Sequence, residues 1–198
     1  MKFILASGNK GKLLEMRAML STLGYDVISQ KDAGYDLDVE ETGGTFEENS
    51  FLKADAACRA SGLPAIADDS GLEVEALGGE PGVYSARYAG ENKTDHERNM
   101  YLLEKMEGAE NRRAKFVSCI TCVFPNGDKI VSRGECEGIL LRREQGENGF
   151  GYDPLFYLPE LGRTMAEISP EKKNEISHRA KAIEKFGKLL KEYSENKR

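Results

Sequence analysis

"PAIADDSGLEVEAL", residues 64–77, decides how the middle of the chain is laid out. Pro64-Ala65-Ile66-Ala67 is short and apolar, a strand candidate. Residues 72–77, Leu-Glu-Val-Glu-Ala-Leu, alternate apolar and acidic side chains, the period of a half-buried strand. Between them stand Asp68, Asp69, Ser70 and Gly71. Two readings are open. They form a polar turn joining two strands, or a pair of carboxylates at the end of a buried strand, where a divalent cation can be handled.

The flanks supply alternating strands and helices. "KFILA" (2–6) reads as a buried strand and "SGNKGK" (7–12) as a glycine-containing loop. Leu13, Met16, Leu20 and Leu23 then recur at helical spacing, with Gly24 as the stop, before a strand over 25–29. Residues 35–44 alternate apolar and acidic residues, a strand pattern ending at Glu40 and Glu41. Thr45 and Glu48 form a capping box that opens a helix to about Ser61, stopped by Gly62. A second box, Thr94 to Glu97, opens another. Residues 77–90 read as a shaped, glycine-rich loop. Segments 113–124 and 129–141 flank Pro125-Asn126-Gly127-Asp128, a hairpin signal. Residues 147–159 form a glycine and aromatic loop leading into a short strand. Ser169-Pro170 starts a helical turn. The last helix begins near Ser177, presents Ile183, Phe186, Leu190 and Tyr193 to the core, and ends in a frayed "SENKR". The order predicts a mixed α/β fold.

The 198 residues are 39% hydrophobic and 31% charged, as expected of one soluble domain over 1–198 with a core of its own. A net charge of −6 argues against stable nucleic-acid binding, although local basic groups can still hold a polyanion. No apolar run approaches the roughly 20 residues of a membrane span, and "MKFILASGN" is too short for a signal core, so a cytoplasmic protein is expected. Cys119-x-x-Cys122 lies in a strand pattern, where residues three apart face opposite ways. With Cys58 and Cys136 these thiols read as reduced and buried.

Five stretches carry possible chemistry. The Ser7–Lys12 turn, between a strand and a helix, points backbone N–H groups and a helix dipole at an anion, helped by Lys10 and Lys12. Glu40, Glu41, Asp68 and Asp69 are hard oxygen donors suited to Mg²⁺. Asn49 and Lys53 are four apart and share a helix face. "GFGYDP" (149–154) offers Phe150 and Tyr152 for stacking and Asp153 as an acceptor. In "ISHRAK" (176–181), His178 and Arg179 occupy a first helical turn, where cations oppose the dipole unless an anion or keto oxygen is near. Each stretch alone also has a plain structural reading: a solvated connection, an acidic turn, a surface lysine or a hydrophobic plug.

Together, "SGNKGK", "EETGGTFEENSFLKA", "PAIADDSGLEVEALGGEPGVYSARYAG", "GFGYDPLF" and "ISHR" resemble the inosine/xanthosine triphosphate pyrophosphatase family over nearly the full chain. That resemblance implies an elongated two-lobed α/β fold, a central mixed sheet flanked by helices, an active-site cleft between the lobes, and pairing as a homodimer. It implies Mg²⁺-dependent hydrolysis of inosine and xanthosine triphosphates and their deoxy forms to the monophosphate and pyrophosphate. Ser7, Gly8, Asn9, Lys10, Gly11 and Lys12 would then cradle the triphosphate. Glu40 and Asp69 would coordinate Mg²⁺, with Asp69 also the general base and Glu41, Asp68 and Lys53 in support. Ser70 would touch the nucleotide, Phe150 would stack on the base, and Gly151, Tyr152 and Asp153 would line its pocket. Lys173, His178 and Arg179 would read the base edge. Two positions depart from the family pattern: Asn148 stands where a second glycine is usual, and Ser7 where Thr is common.

Overall fold

The computed structural model describes residues 2–196. Seven strands form an open mixed sheet in the order β2-β1-β3-β4-β5-β6-β7. They are β1 (Lys2–Leu5), β2 (Asp26–Ser29), β3 (Ala65–Val74), β4 (Arg113–Val123), β5 (Lys129–Leu140), β6 (Phe156–Leu158) and β7 (Arg163–Thr164). The helices are α1 (Lys10–Thr22), α2 (Phe46–Ser61), α3 (Asp95–Lys105), α4 (Pro170–Ile176) and α5 (His178–Asn196). β1 runs parallel to β2 and β3, whereas β5–β6 and β6–β7 are antiparallel. The chain divides into two compact units. One takes residues up to Asp69, Ser118–Gly134 and everything from Arg179 on; the other takes Ser70–Val117 and Glu135–His178.

In the first unit the sheet is covered on both faces, and residue alternation sorts the two cores. Phe3, Leu5, Ile66, Ile120 and Cys122 pack against Met16 and Leu20 of α1 and Ile183, Phe186 and Leu190 of α5. Their neighbours Ile4, Ala6, Ala65, Ala67 and Val123 point the other way, onto Ala54, Ala57 and Cys58 of α2. The small residues on that face admit the helix closely, and Ser50 of α2 meets Thr121 of β4 across it at 2.7 Å. In the second unit Leu72, Val74, Phe116, Leu140 and Phe156 pack with Leu102 of α3 and with Met106 at its C-cap. Full burial of such side chains stabilises by roughly 1.5–3 kcal/mol each. Gly138 allows β6 to approach: a Cβ there would lie 2.5 Å from the Phe156 ring.

Both capping boxes form as the sequence predicts, and the Asn-Gly hairpin closes through Phe124 N–H to Asp128 O. All four cysteines are free and buried. Two strand expectations are corrected. Residues 64–67 and 72–77 are not two strands about a turn; β3 is continuous through Asp68, Asp69, Ser70 and Gly71. Residues 35–44 form no strand, since no neighbouring strand among the described residues pairs with them, and Gln30 Nε2 donates to Leu37 O at 2.8 Å instead. Residues 77–90 hold a 3₁₀ turn, Gly82–Arg87, after a cis Glu80–Pro81 bond. At the tail, Ser194–Asn196 are helical rather than frayed, and Lys197 and Arg198 lie outside the described residues. Among the described residues no helix is long and apolar enough to cross a membrane.

Candidate active site

Because β3 does not turn, Asp68 and Asp69 leave it on opposite faces. Asp68 follows Ile66 toward α1 and α5 and is 1% exposed. Lys12 Nζ stands 3.1 Å from its Oδ2, Arg179 Nη2 stands 3.2 Å from the same atom, and the Ser118 hydroxyl donates to Oδ1. Burial alone would raise this carboxyl's pKa. Lys12, Arg179 and Ser118 overcome that and hold it well below the usual carboxylate range. Arg179, also 1% exposed, donates through Nη1 to Glu15 of α1. Burial disfavours its charge, but Asp68 and Glu15 outweigh burial and push its pKa up. The cation in the first turn of α5 is thus met by two carboxylates, which answers the dipole cost expected from its position.

Asp69 follows Ala65 and Ala67 toward α2. Asn49 Nδ2 donates to Asp69 Oδ2 at 3.3 Å. Lys53 Nζ is 3.1 Å from Asp69 Oδ1 and 2.6 Å from Glu41 Oε1. The i,i+4 spacing on α2 places Asn49 and Lys53 together, and the Gly43 N–H donates to Asn49 Oδ1 at 2.8 Å, tying the acidic segment to the helix. Burial raises the Asp69 pKa above its ordinary value, and Lys53 and Lys12 oppose this without cancelling it. Burial opposes the Lys53 ammonium, yet Asp69 and Glu41 raise its pKa. Two adjacent acids therefore differ in kind: Asp68 is a fixed anion, and Asp69 is the more basic carboxylate. Of the acidic pair, Glu41 reaches Lys53, while the Glu40 residue is exposed.

At the start of α1, Ser7 Oγ accepts from Asn9 N–H at 3.2 Å and Asn9 Oδ1 accepts from Lys12 N–H at 3.0 Å. The amides of Lys10 and Gly11 have no partner among the described residues. Lys10 is exposed, and Lys12 turns inward to Asp68. A groove of about 780 Å³ beside this turn is lined by Ser7, Gly8, Lys10, Arg17, Gln30 and Asp32, among others.

The second unit carries the aromatic loop. The Phe150 amide donates to Asp153 Oδ2 at 2.9 Å. Lys173 Nζ donates to the same oxygen and lies 4.6 Å from the Phe150 ring centroid. Gly149, at φ 79°, has no room for a side chain, since a Cβ would lie 2.1 Å from Asp153 Oδ2. Asn148 needs no such freedom: its amide donates to Ala166 O at 3.0 Å and its side chain to Ile168 O at 3.4 Å. Tyr152 OH donates to Ser85 O at 2.8 Å, and burial pushes its pKa up. His178 is buried and stacks on Phe116, with centroids 4.9 Å apart and planes 21° apart. Ser70, half-buried, is the first residue of this unit on β3.

Sequence reasoning missed Glu15, Ser118, Asp95 and Asn99. Glu15 follows Lys12 by three on α1, a shared helix face that pointed to it. Ser118 is a polar residue in a mostly apolar stretch of β4, and its full burial gives it the need for a partner. Asp95 and Asn99 are four apart on α3, and their partner is the loop at Gly151.

The profile of the Ham1 family matches residues 3–189. A dITP/XTP pyrophosphatase of Thermus thermophilus is 51% identical over 185 residues, 92% of this chain and 88% of that protein. One of Haemophilus influenzae is 53% identical over 186 residues, 92% of this chain and 95% of that protein. The solved structure of the Staphylococcus aureus Ham1 protein superposes with a TM-score of 0.88 at 47% identity, covering 98% of this chain and 100% of that one. With the family profile reaching from residue 3 to 189 and relatives this similar along most of their length, the chain belongs to the Ham1 family.

Proposed function

We propose that the protein hydrolyses nucleoside triphosphates bearing non-standard purines, inosine and xanthosine triphosphates and their deoxy forms, to the monophosphate and pyrophosphate. Its relatives named dITP/XTP pyrophosphatase support this substrate class. The observation that carries the chemistry is the cluster of Asp69, Lys53 and Glu41 on β3, α2 and the preceding segment, with Asp69 made more basic than its neighbour. A base of that kind suits removal of a proton from an attacking water. Lys53, Lys10 and the amides at the start of α1 would meet the triphosphate charge.

The donor set fits Mg²⁺. Glu41 Oε1 and Asp69 Oδ1 converge on one lysine nitrogen, and such an ion takes one or two carboxylates with waters and phosphate oxygens. Among the described residues no three acidic, His or Cys side chains form a ready cage, so the remaining ligands fall to water and substrate. Glu41 and Asp69, joined by Glu40, would hold the ion, which supplies charge neutralisation at the phosphate oxygens. In the second unit Phe150 would stack on the base, Gly151 to Asp153 would line its pocket, and Lys173 and His178 would face its edge. Lys173 only donates hydrogen bonds, so a 6-oxo purine offers it an acceptor and a 6-amino purine a donor; that mismatch is costly when buried. At least two of the N–H groups of Arg179 are committed to Asp68 and Glu15, which places its main effect on Asp68.

The test is pyrophosphate release from a panel of triphosphates with Mg²⁺. Turnover of inosine and xanthosine triphosphates but not ATP is expected, and chelation by EDTA should stop it. No turnover of any of them refutes the enzyme reading, equal turnover of ATP refutes the discrimination, and EDTA-insensitive turnover refutes the Mg²⁺ requirement. Hydrolysis of modified pyrimidine triphosphates at equal rates would favour a broader pyrophosphatase. Pairing as a homodimer belongs to the same proposal, and a monomer in sedimentation would refute it.

A further inference from the structure

Helix α3 makes contacts that the proposed chemistry does not use. Asp95 Oδ2 accepts from the Gly151 amide at 2.7 Å. Asn99, one turn later, donates from Nδ2 to the Gly151 carbonyl at 3.1 Å and to Glu144 Oε1 at 2.6 Å. His96 Nδ1 lies 2.7 Å from the other Glu144 oxygen. The Gly151 amide belongs to the peptide plane after Phe150, and its carbonyl to the plane before Tyr152. Holding both fixes two consecutive planes of the aromatic loop. Phe150 is then anchored on each side, since its own amide is taken by Asp153.

The helix that does this is anchored at both ends. Its start is fixed by the Thr94–Glu97 capping box, and Leu102 and Met106 anchor its far end in the core. Asn99 is 0% exposed, and its Oδ1 is buried with no partner among the described residues. Turning the amide over would set that oxygen against two acceptors, Glu144 and Gly151 O. The side chain therefore keeps a buried orphan oxygen in order to aim both N–H groups at the loop and its support. An apolar residue of similar size would avoid that cost in stability. What this side chain supplies at that cost is its two donors.

We propose that Asp95 and Asn99 are positioning residues for the nucleobase, clamping Gly151 by its amide and carbonyl so that Phe150 presents a fixed stacking face. This rests on the reading of residues 149–153 as the base platform. Losing the clamp loosens the platform and weakens nucleotide binding, while the acids that handle the triphosphate are untouched.

The test uses Asp95→Ala, Asp95→Asn and Asn99→Asp in the full chain. Two quantities are read: kcat and KM for inosine triphosphate, and hydrogen exchange of the 149–153 backbone without nucleotide. Asp95→Ala should raise KM about tenfold, the loss of one charge-assisted hydrogen bond, with kcat within about twofold. Asp95→Asn keeps an oxygen for the Gly151 amide, while its Nδ2 meets Arg98, which still donates to Lys93 O, so it should bring KM back to within about threefold of normal. Asn99→Asp keeps size but loses the donor to the Gly151 carbonyl, since a proton shared with Glu144 stays between the two acids, and should behave as Asp95→Ala does, which a space-filling role would not produce. Exchange at Gly151 should speed at least about tenfold in the two loss variants. Unchanged KM in both, or Asp95→Asn as impaired as Asp95→Ala, overturns the proposal. Should the buried acid of Asn99→Asp prevent folding, the comparison of Asp95→Ala with Asp95→Asn decides alone. If the unmodified protein does not hydrolyse inosine triphosphate, the activity reading fails by itself, and unchanged Gly151 exchange then overturns the clamp.

Discussion

Asp68→Asn keeps the shape of a buried side chain and removes its charge. At 3.1 and 3.2 Å, Lys12 and Arg179 each attract Asp68 by about 5 kcal/mol at an effective dielectric near 20. Desolvating the carboxylate offsets several kcal/mol of that sum. The substituted amide would retain an acceptor for Ser118, and Arg179 would retain Glu15, so the net loss falls at about 3–5 kcal/mol, the range for breaking a buried pair. In a chain of this length that lowers Tm by roughly 10 °C. Urea unfolding followed by circular dichroism measures the difference between the two proteins. The sign of its pH dependence is fixed. Asp68 titrates lower in the folded than in the unfolded chain, so its contribution is complete above the ordinary Asp value. The gap should hold from pH 7 to about 5 and shrink by up to about 1.4 kcal/mol per pH unit below about pH 4. A gap under about 1 kcal/mol, or one that does not change between pH 7 and about pH 3, refutes the reasoning.

Asp69→Asn should lower kcat by about 10²–10⁴-fold, with nucleotide affinity by calorimetry in the absence of Mg²⁺ near that of the unmodified protein; near-normal turnover would remove Asp69 as the base. Lys53→Met removes the ammonium that opposes the upward shift of Asp69, so the acid limb of kcat/KM against pH should move to higher pH, and a limb that stays or moves down contradicts the assignment. Gly138→Ala puts a methyl 2.5 Å from the Phe156 ring and 2.7 Å from Tyr157 O, and should destabilise by about 1–3 kcal/mol in urea; equal stability would mean the strands do not approach as described.

What the sequence made legible was local. The boxes at Thr45 and Thr94, the Asn-Gly turn and the apolar face of α5 each depend on residues within a few positions of one another. So did the pairing of Asn49 with Lys53 on one helix face. The character of Asp68 was hidden because its partners are remote, with Arg179 lying 111 positions away. Without them, two aspartates in a row look like a solvent-facing turn. With them, the strand can carry both acids through its interior, one to each face. The acidic segment misled in the opposite direction: alternation at 35–44 imitates a strand, but a strand also needs a neighbour to pair with, and none is supplied. The choice of Glu41 over Glu40 at Lys53 follows from how that irregular segment is tied to Asn49, which no periodicity encodes.

The first unit is assembled from both ends of the chain, and Arg179 comes from its last piece. During synthesis Asp68 and Glu15 are made long before their guanidinium partner exists. A nascent or truncated chain that stops before α5 therefore lacks Phe186 and Leu190 in the core and leaves two acids beneath it short of a cation. Until α5 docks, the strand that carries Asp69 lacks part of the cover on its opposite face. Truncation before α5 should therefore destabilise the first unit as a whole rather than leave a well-folded remainder.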